Sequence, residues 1–372
     1  LKIYAKKQKR LLRCHPSHLQ YLQPMQLMRL LPKTTALKLN EFEWRAATLD
    51  SQAARSALAS KGFHWQRLLG DGSSLYLRHG DCCEAELNDS AAANVYQALI
   101  CAEEASARPI AKAKFMAIVN LTADSFSDGG TYQASDDHLI KHCQQLIDEG
   151  ANILDLGAES TRPGAEEVDA PTQIDLLSNA MRVLSPLDVP LSIDTRNAIV
   201  ADHCLAVGAV MINDVSAFGD ANMPAVVAKH DAQVVIMHSR ATPKTMHQHC
   251  NYDYLIGEIC DELAQRINRG LNEGINPERI IIDPGLGFAK DARQNFEIVH
   301  HLNAFRSLGF PVLAGPSRKS FLASVLPERA AAQRDGATAG AASICAYHGA
   351  EYLRLHCGGM NWDAVKIAQA CS

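Results

Sequence analysis

From Phe115 onward, short apolar runs that close on a polar residue alternate with longer stretches of helical spacing. The runs are Phe115 to Asn120, Asn152 to Gly157, Pro190 to Thr195, Val210 to Val215, Gln233 to His238, Ile280 to Gly285, Pro311 to Gly315 and Glu351 to His356. Their continuous hydrophobicity suits strands covered on both faces of a parallel sheet. Between them, Asp136 to Gly150 sets Leu139, Ile140, Cys143, Leu146 and Ile147 on one helical face and stops at a glycine. Asn251 to Gly270, Ala292 to Leu308 and Asp335 to His348 read as helices too. Eight strand–helix units within residues 113–372 predict an α/β chain folded as a closed (β/α)8 TIM barrel, a fold that typically takes ~250 residues. A doubly wound open sheet is the competing architecture, but no glycine-rich dinucleotide turn follows the first strand.

The chain before the barrel has a different texture. Residues 37–107 read as a small α/β appendage. Leu37 to Trp44 forms a strand, and Ser51 to Lys61 and Asn88 to Ala105 form helices. Trp65 to Leu69 and Ser74 to Arg78 make a hairpin around Gly70-Asp71-Gly72, and Arg108-Pro109 marks the linker. It carries no recognisable chemistry, so a packing or dimer-contact role is its default. Residues 1–36 are basic and unpatterned: the first 40 residues hold nine Lys or Arg and no acid. They read as a poorly ordered tail, with a targeting peptide as the alternative.

Composition then narrows the partners. With 47% hydrophobic and 21% charged residues the chain has material for a folded core, which excludes global disorder. No stretch of ~18 apolar residues exists to span a membrane. Beyond residue 40 the chain carries 27 basic against 41 acidic residues, which argues against nucleic acid as a partner. The 11 cysteines show no CxxC pair and no metal-like spacing, the pattern of a reducing, cytoplasmic setting without disulfides.

In such a barrel the active site forms at the C-terminal ends of the strands, so the residues that close each run are informative. They are Asn120, Asp155, Asp194, Asn213 with Asp214, His238, Asp283, the run Ser317-Arg318-Lys319, and Arg354 with His356. Any one such carboxylate is as readily a helix cap. Polar closures on all eight strands are harder to assign to capping. Arg354 and His356 are two apart on one strand and share a face, a pairing suited to a phosphate-type anion. Three loops add candidates: Leu121 to Gly130 as a lid bearing Asp124, Ser125 and Asp128; Ala158 to Gly164 with Thr161, Arg162 and Pro163; and Asp283 to Lys290. The glycines of the third loop allow close backbone approach, and its Phe288 offers an apolar wall.

Read in order, NLTADSFSDGG from Asn120, DLGAESTRPGA from Asp155, SIDT from Ser192, IND from Ile212, DPGLGFAK from Asp283, SRKS from Ser317 and RLH from Arg354 resemble the motifs of the dihydropteroate synthases, in the pterin-binding TIM-barrel superfamily. The similarity runs from Phe115 to Ala370. It implies a transferase of folate biosynthesis that condenses 6-hydroxymethyl-7,8-dihydropterin diphosphate with para-aminobenzoate, giving 7,8-dihydropteroate and diphosphate. The resemblance assigns Asp194, Asn213, Asp283 and Lys319 to the pterin, and Asn120, Arg354 and His356 to the diphosphate. Asn120 is also its Mg2+ ligand. Thr161, Arg162, Pro163, Phe288 and Ser320 fall to the aminobenzoate, and Arg354, His356, Lys319 and Asp124 to catalysis. It further implies small-molecule substrates, a sulfonamide-sensitive aminobenzoate pocket and a homodimer formed through late helices. At Cys357-Gly358 the chain departs from the Asp-Val common after this histidine. The alternatives are a methyltetrahydrofolate-binding methyltransferase-type barrel and a catalytically silent pterin-binding paralogue. Another barrel enzyme acting on phosphorylated metabolites is a third, weakened by the lack of a glycine-rich phosphate loop after the seventh strand.

Overall fold

The computed structural model describes residues 110–121, 135–159, 168–240, 249–252 and 255–371, and the backbone of four strands before them. Those four are β1 (Met28–Pro32), β2 (Glu41–Ala46), β3 (Phe63–Leu68) and β4 (Ser74–His79), in an antiparallel sheet of order β1-β2-β4-β3. The hairpin read around Gly70-Asp71-Gly72 is the β3–β4 pair, with Leu68 opposite Ser74. The sequence reading placed no element before Leu37, whereas β1 pairs Met28 with Ala46. The helices read over Ser51 to Lys61 and Asn88 to Ala105 lie outside the described residues. The chain divides into two compact units, one of residues 1–109, 252–268 and 301–310, the other of 110–251, 269–300 and 311–372.

The second unit holds eight parallel strands: β5 (Lys114–Asn120), β6 (Ala151–Gly157), β7 (Leu191–Asp194), β8 (Met211–Asp214), β9 (Gln233–Met237), β10 (Ile280–Asp283), β11 (Leu313–Ala314) and β12 (Tyr352–Leu355). Each lies within a residue or two of a predicted run. β11 is shortest because Pro311 lacks an N–H and Gly315-Pro316 cannot continue the strand. Neighbours run in sequence from β5 to β10, and β12 joins β5 to β11. A bridge between Ile282 and Val312, with Ile282 N–H donating to the Pro311 carbonyl at 2.9 Å, closes the ring between β10 and β11. The (β/α)8 barrel is therefore present.

The α-helices among the described residues are α1 (Ser135–Asp148), α2 (Ala170–Leu184), α3 (Ala198–Ala206), α4 (Met223–Lys229), α5 (Leu255–Asn272), α6 (Ala292–His300), α7 (Asp335–Tyr347) and α8 (Met360–Ala370). Local chemistry sets their ends. Asp169 caps α2 by accepting the Thr172 N–H at 2.8 Å, and Asn197 caps α3 by accepting from Ile199 at 2.9 Å. Past α1, Gly150 takes φ +106°, and an added Cβ there would lie 2.7 Å from the Trp362 ring. One expectation fails in part. Ala292 to Leu308 is not one helix: α6 ends at His300 and a 3-10 helix runs from Leu302 to Leu308. Its buried residues Leu302, Phe305 and Leu308 recur every third position, the period of the tighter helix.

Inside the ring, Met116, Ile153, Met211, Val235, Ile281, Leu313 and Tyr352 form one apolar cluster, a residue from each of seven strands. Side chains alternate along a strand, so this plug fixes which later positions face inward. Among the described residues seven cysteines are free, and no helix is long and apolar enough to cross a membrane.

Candidate active site

Two residues beyond the apolar plug, the inward positions stay apolar at Ile118 on β5 and Met237 on β9 but become Asp155 on β6, Asn213 on β8, Asp283 on β10, Gly315 after β11 and Arg354 on β12. The C-terminal end of the barrel is thus lined by polar groups on an apolar floor. Arg354 binds them together. Its Nε donates to Asp155 Oδ2 at 2.6 Å and its Nη2 to Asp194 Oδ2 at 2.7 Å. Asp155 Oδ2 also accepts from Asn213 Nδ2 at 3.0 Å, so one network ties β12, β6, β7 and β8. Asp155 is fully buried, and its Oδ1 has no hydrogen-bond partner.

Two carboxylates on one guanidinium leave a surplus of negative charge in a poorly solvated place. Burial pushes the Asp194 carboxyl up to about 7; Arg354 pulls it down, while Asp155 and Asp214 add to the rise. Burial likewise opposes the Arg354 charge, but Asp155 and Asp194 outweigh it and hold its pKa above the ordinary value. Asp283 is raised by burial against the pull of Lys319 and of the Gly285 N–H, which donates to it at 2.7 Å. Lys319 is lowered by burial to about 8, with Asp283 raising it and Arg354 lowering it.

The loop after β10 brings the second half of the site. Lys319 donates to the Leu286 carbonyl, and its ammonium lies 4.6 Å from the centre of the Phe288 ring. Gly285 (φ +72°) is indispensable, since an added Cβ would fall 2.0 Å from the His238 carbonyl oxygen. Buried Lys290 stitches this loop, donating to the Gly285 carbonyl at 3.0 Å and the Phe288 carbonyl at 2.8 Å, with His238 Nδ1 3.0 Å away. Two residues before Lys319, Ser317 Oγ lies 2.9 Å from His356 Nδ1, a contact that orients the ring. Asn120 and Asp194 flank Gly157: a Cβ there would sit 3.8 Å from both Asn120 Oδ1 and Asp194 Oδ2. Ser320 is exposed at the start of the 3-10 turn Ser320–Ser324. Asp124, Ser125, Asp128, Thr161, Arg162 and Pro163 lie outside the described residues.

The C-terminal end of the barrel therefore offers carboxyl, amide, ammonium and guanidinium groups above an apolar floor, a set that matches a flat heterocycle with donor and acceptor edges. The family model described as pterin binding enzyme matches residues 116–356. The chain belongs to the pterin-binding enzyme family. A dihydropteroate synthase of Synechocystis sp. is 38% identical over 258 residues, covering 69% of this chain and 87% of the relative. A dihydropteroate synthase crystal structure from Clostridium difficile, obtained in the presence of pteroic acid, is 36% identical with a TM-score of 0.66, over 70% of this chain and 97% of that one. Another, from Xanthomonas albilineans in complex with 7,8-dihydropteroate, is 33% identical with a TM-score of 0.63, over 71% and 95%.

Within this pterin-binding barrel, three buried groups escaped the sequence-based site assignment: Asp155, His238 and Lys290. Asp155 and His238 were visible as strand closures. Counting two positions up from Ile153 would have put Asp155 on the inner face. Nothing in the sequence marks Lys290 as a loop anchor, because its partners are backbone carbonyls and a histidine 52 residues away.

Proposed function

We propose that this chain is a dihydropteroate synthase, joining the methylene carbon of 6-hydroxymethyl-7,8-dihydropterin diphosphate to the amine of para-aminobenzoate with loss of diphosphate. The observation that carries the reading is the convergence of Asp194, Asn213 and Arg354, with Lys319 and Asp283, at one end of one barrel. A pterin edge carries adjacent ring N–H and exocyclic amine donors, which a buried carboxylate such as Asp283 accepts together. Lys319, held against the Phe288 ring, donates to the ring's acceptor side, and Asn213 supplies both a donor and an acceptor. Because Asp155 and Asp194 engage two faces of the Arg354 fork, the guanidinium plane is fixed before substrate arrives. His356, oriented by Ser317, and the remaining Arg354 N–H donors face the diphosphate. Thr161, Arg162, Pro163, Phe288 and Ser320 serve the aminobenzoate.

No protein nucleophile is needed. The ring electrons of the dihydropterin support the positive charge left on the methylene as the C–O bond breaks, and the arylamine then donates its pair to that carbon and gives up one N–H proton to the released diphosphate or water. The site's part is to hold both partners in line, exclude water and neutralise the departing anion. The donor set also fits Mg2+. Among the described residues there is no cluster of three or more His, Cys, Asp or Glu able to cage a metal, and Asn120 offers one hard side-chain oxygen. That suits an ion that takes most of its ligands from phosphate and water. When bound, Mg2+ would supply charge neutralisation on the leaving diphosphate.

We assign the protein to the cytoplasm as a homodimer. Ile344 and Tyr347 on α7, and Met360 and Ile367 on α8, are large exposed apolar groups spaced to share a face of each helix. Purified protein given the pterin diphosphate, para-aminobenzoate and Mg2+ should release diphosphate and form dihydropteroate. Pterin binding without turnover would sink the reading. Sulfonamide inhibition should be relieved by excess aminobenzoate.

A further inference from the structure

Within the run Ser317-Arg318-Lys319, the side chain of the middle residue goes to Asp335 and Cys357 rather than to the loop after β10. Arg318 takes φ +56°, a left-handed conformation that is sterically unfavourable for a long side chain. Five contacts hold it there. Its N–H donates to Thr338 Oγ1 at 3.0 Å, and its carbonyl accepts from Arg334 Nη1 at 3.2 Å. Its Nε and Nη2 fork onto both oxygens of Asp335 at 2.8 and 3.0 Å, and Nη2 also reaches Cys357 Sγ at 3.7 Å. Three of these partners, Arg334, Asp335 and Thr338, belong to the cap and first turn of α7. Both the backbone and the head of Arg318 are therefore gripped by one rigid helix.

The reversal at Arg318 sends its neighbours in different directions. Ser317 goes to His356, and Lys319 crosses to the Leu286 carbonyl and the Phe288 ring. We propose that Arg318 is a positioning residue: it touches no substrate, and its clamp on Asp335 aims Lys319 and Ser317 into the site. A planar bidentate fork fixes direction as well as distance, which a lysine cannot reproduce. The inference rests on the synthase reading for its link to turnover, while the aim of Lys319 can be read without turnover.

An ion pair that merely steadied α7 would change stability and nothing else. The clamp predicts more. In the native site, the charged groups that face Lys319 among the described residues are Asp283, Asp194 and Arg354, and burial holds its ammonium near the low end of the lysine range. Releasing the clamp lets Lys319 swing toward water and titrate like an ordinary lysine.

The test compares the wild type with Asp335→Asn, Arg318→Lys and the double variant. The rate of Lys319 acetylation against pH, read by mass spectrometry, and kcat/KM for the pterin diphosphate are measured on each. In the wild type the acetylation half-point should lie near 8. It should move up by at least about half a pH unit in each single variant, with kcat/KM falling about tenfold or more. The double variant should be no worse than the weaker single one, because one clamp is removed in each case. An unmoved half-point in either folded variant overturns the proposal, as does a strictly additive double variant. A wild type that forms no dihydropteroate overturns the functional reading instead, and the acetylation profile still decides the clamp.

Discussion

Replacing Asp194 with Asn keeps the shape of the side chain and an oxygen acceptor for Arg354, but removes the proton that burial holds on the carboxyl. In the folded protein that carboxyl titrates at about 7, against 3.8 in an unperturbed chain. A raised folded value means that the native state binds this proton more tightly than the unfolded state does. The stability it contributes is complete below 3.8 and lost as pH rises through about 7. Integrating the native and unfolded proton occupancies from about pH 5.5 to about pH 8 gives a loss of about 2 kcal/mol for the wild type from this group alone. Asp283 and Lys319 also titrate with shifted values, and Asp194 itself raises Lys319, so the difference between the two slopes reports Asp194 together with its effect on that neighbour. Urea unfolding followed by circular dichroism at both pH values measures it. Asp194→Asn should lose about 2 kcal/mol less than the wild type across that window. Parallel pH profiles would refute the reasoning, because they would mean that Asp194 is already ionised at pH 5.5 in the native state.

The same geometry sets other outcomes. Arg354→Ala leaves two buried carboxylates facing each other, so turnover should fall at least about 100-fold and stability by about 3–5 kcal/mol, checked by steady-state kinetics and denaturant titration. Gly285→Ala forces a methyl group onto the His238 carbonyl at a positive φ and should cost at least about 3 kcal/mol or abolish soluble expression, whereas Gly274→Ala, also at a positive φ (+90°) but with nothing near its Cβ, should cost only the backbone strain. Pterin affinity, measured by calorimetry, should decline as pH rises through about 8, where Lys319 loses its charge, and Lys319→Met should lack that decline. Chelation of Mg2+ should suppress diphosphate release while leaving pterin binding measurable.

The barrel was legible because its strands are buried on both faces and so read as uninterrupted apolar runs, such as Ile280–Asp283 and Met211–Asp214. The helix that breaks at His300 was not, since a three-residue and a 3.6-residue apolar period look alike over two turns. The residues that close the strands could be read individually, but how they engage one another could not. Arg354 reads in sequence as a partner of His356, two positions along. In the structure its fork meets Asp155 and Asp194, and His356 turns to Ser317. Long-range pairing of this kind depends on which strands become neighbours, and only the closed ring determines that. Arg318 was likewise hidden, because the direction of a side chain in a turn follows from backbone φ, which composition does not reveal.

Arg354 meets carboxylates that lie 199 and 160 positions earlier in the chain. During synthesis, the first three barrel strands exist long before the cation that neutralises them. A nascent chain must therefore keep Asp155 and Asp194 in water until β12 arrives. Substrate cannot be gripped by any fragment that ends before that strand, so tight pterin binding reports a finished ring, and a bound pterin stabilises the whole barrel at once.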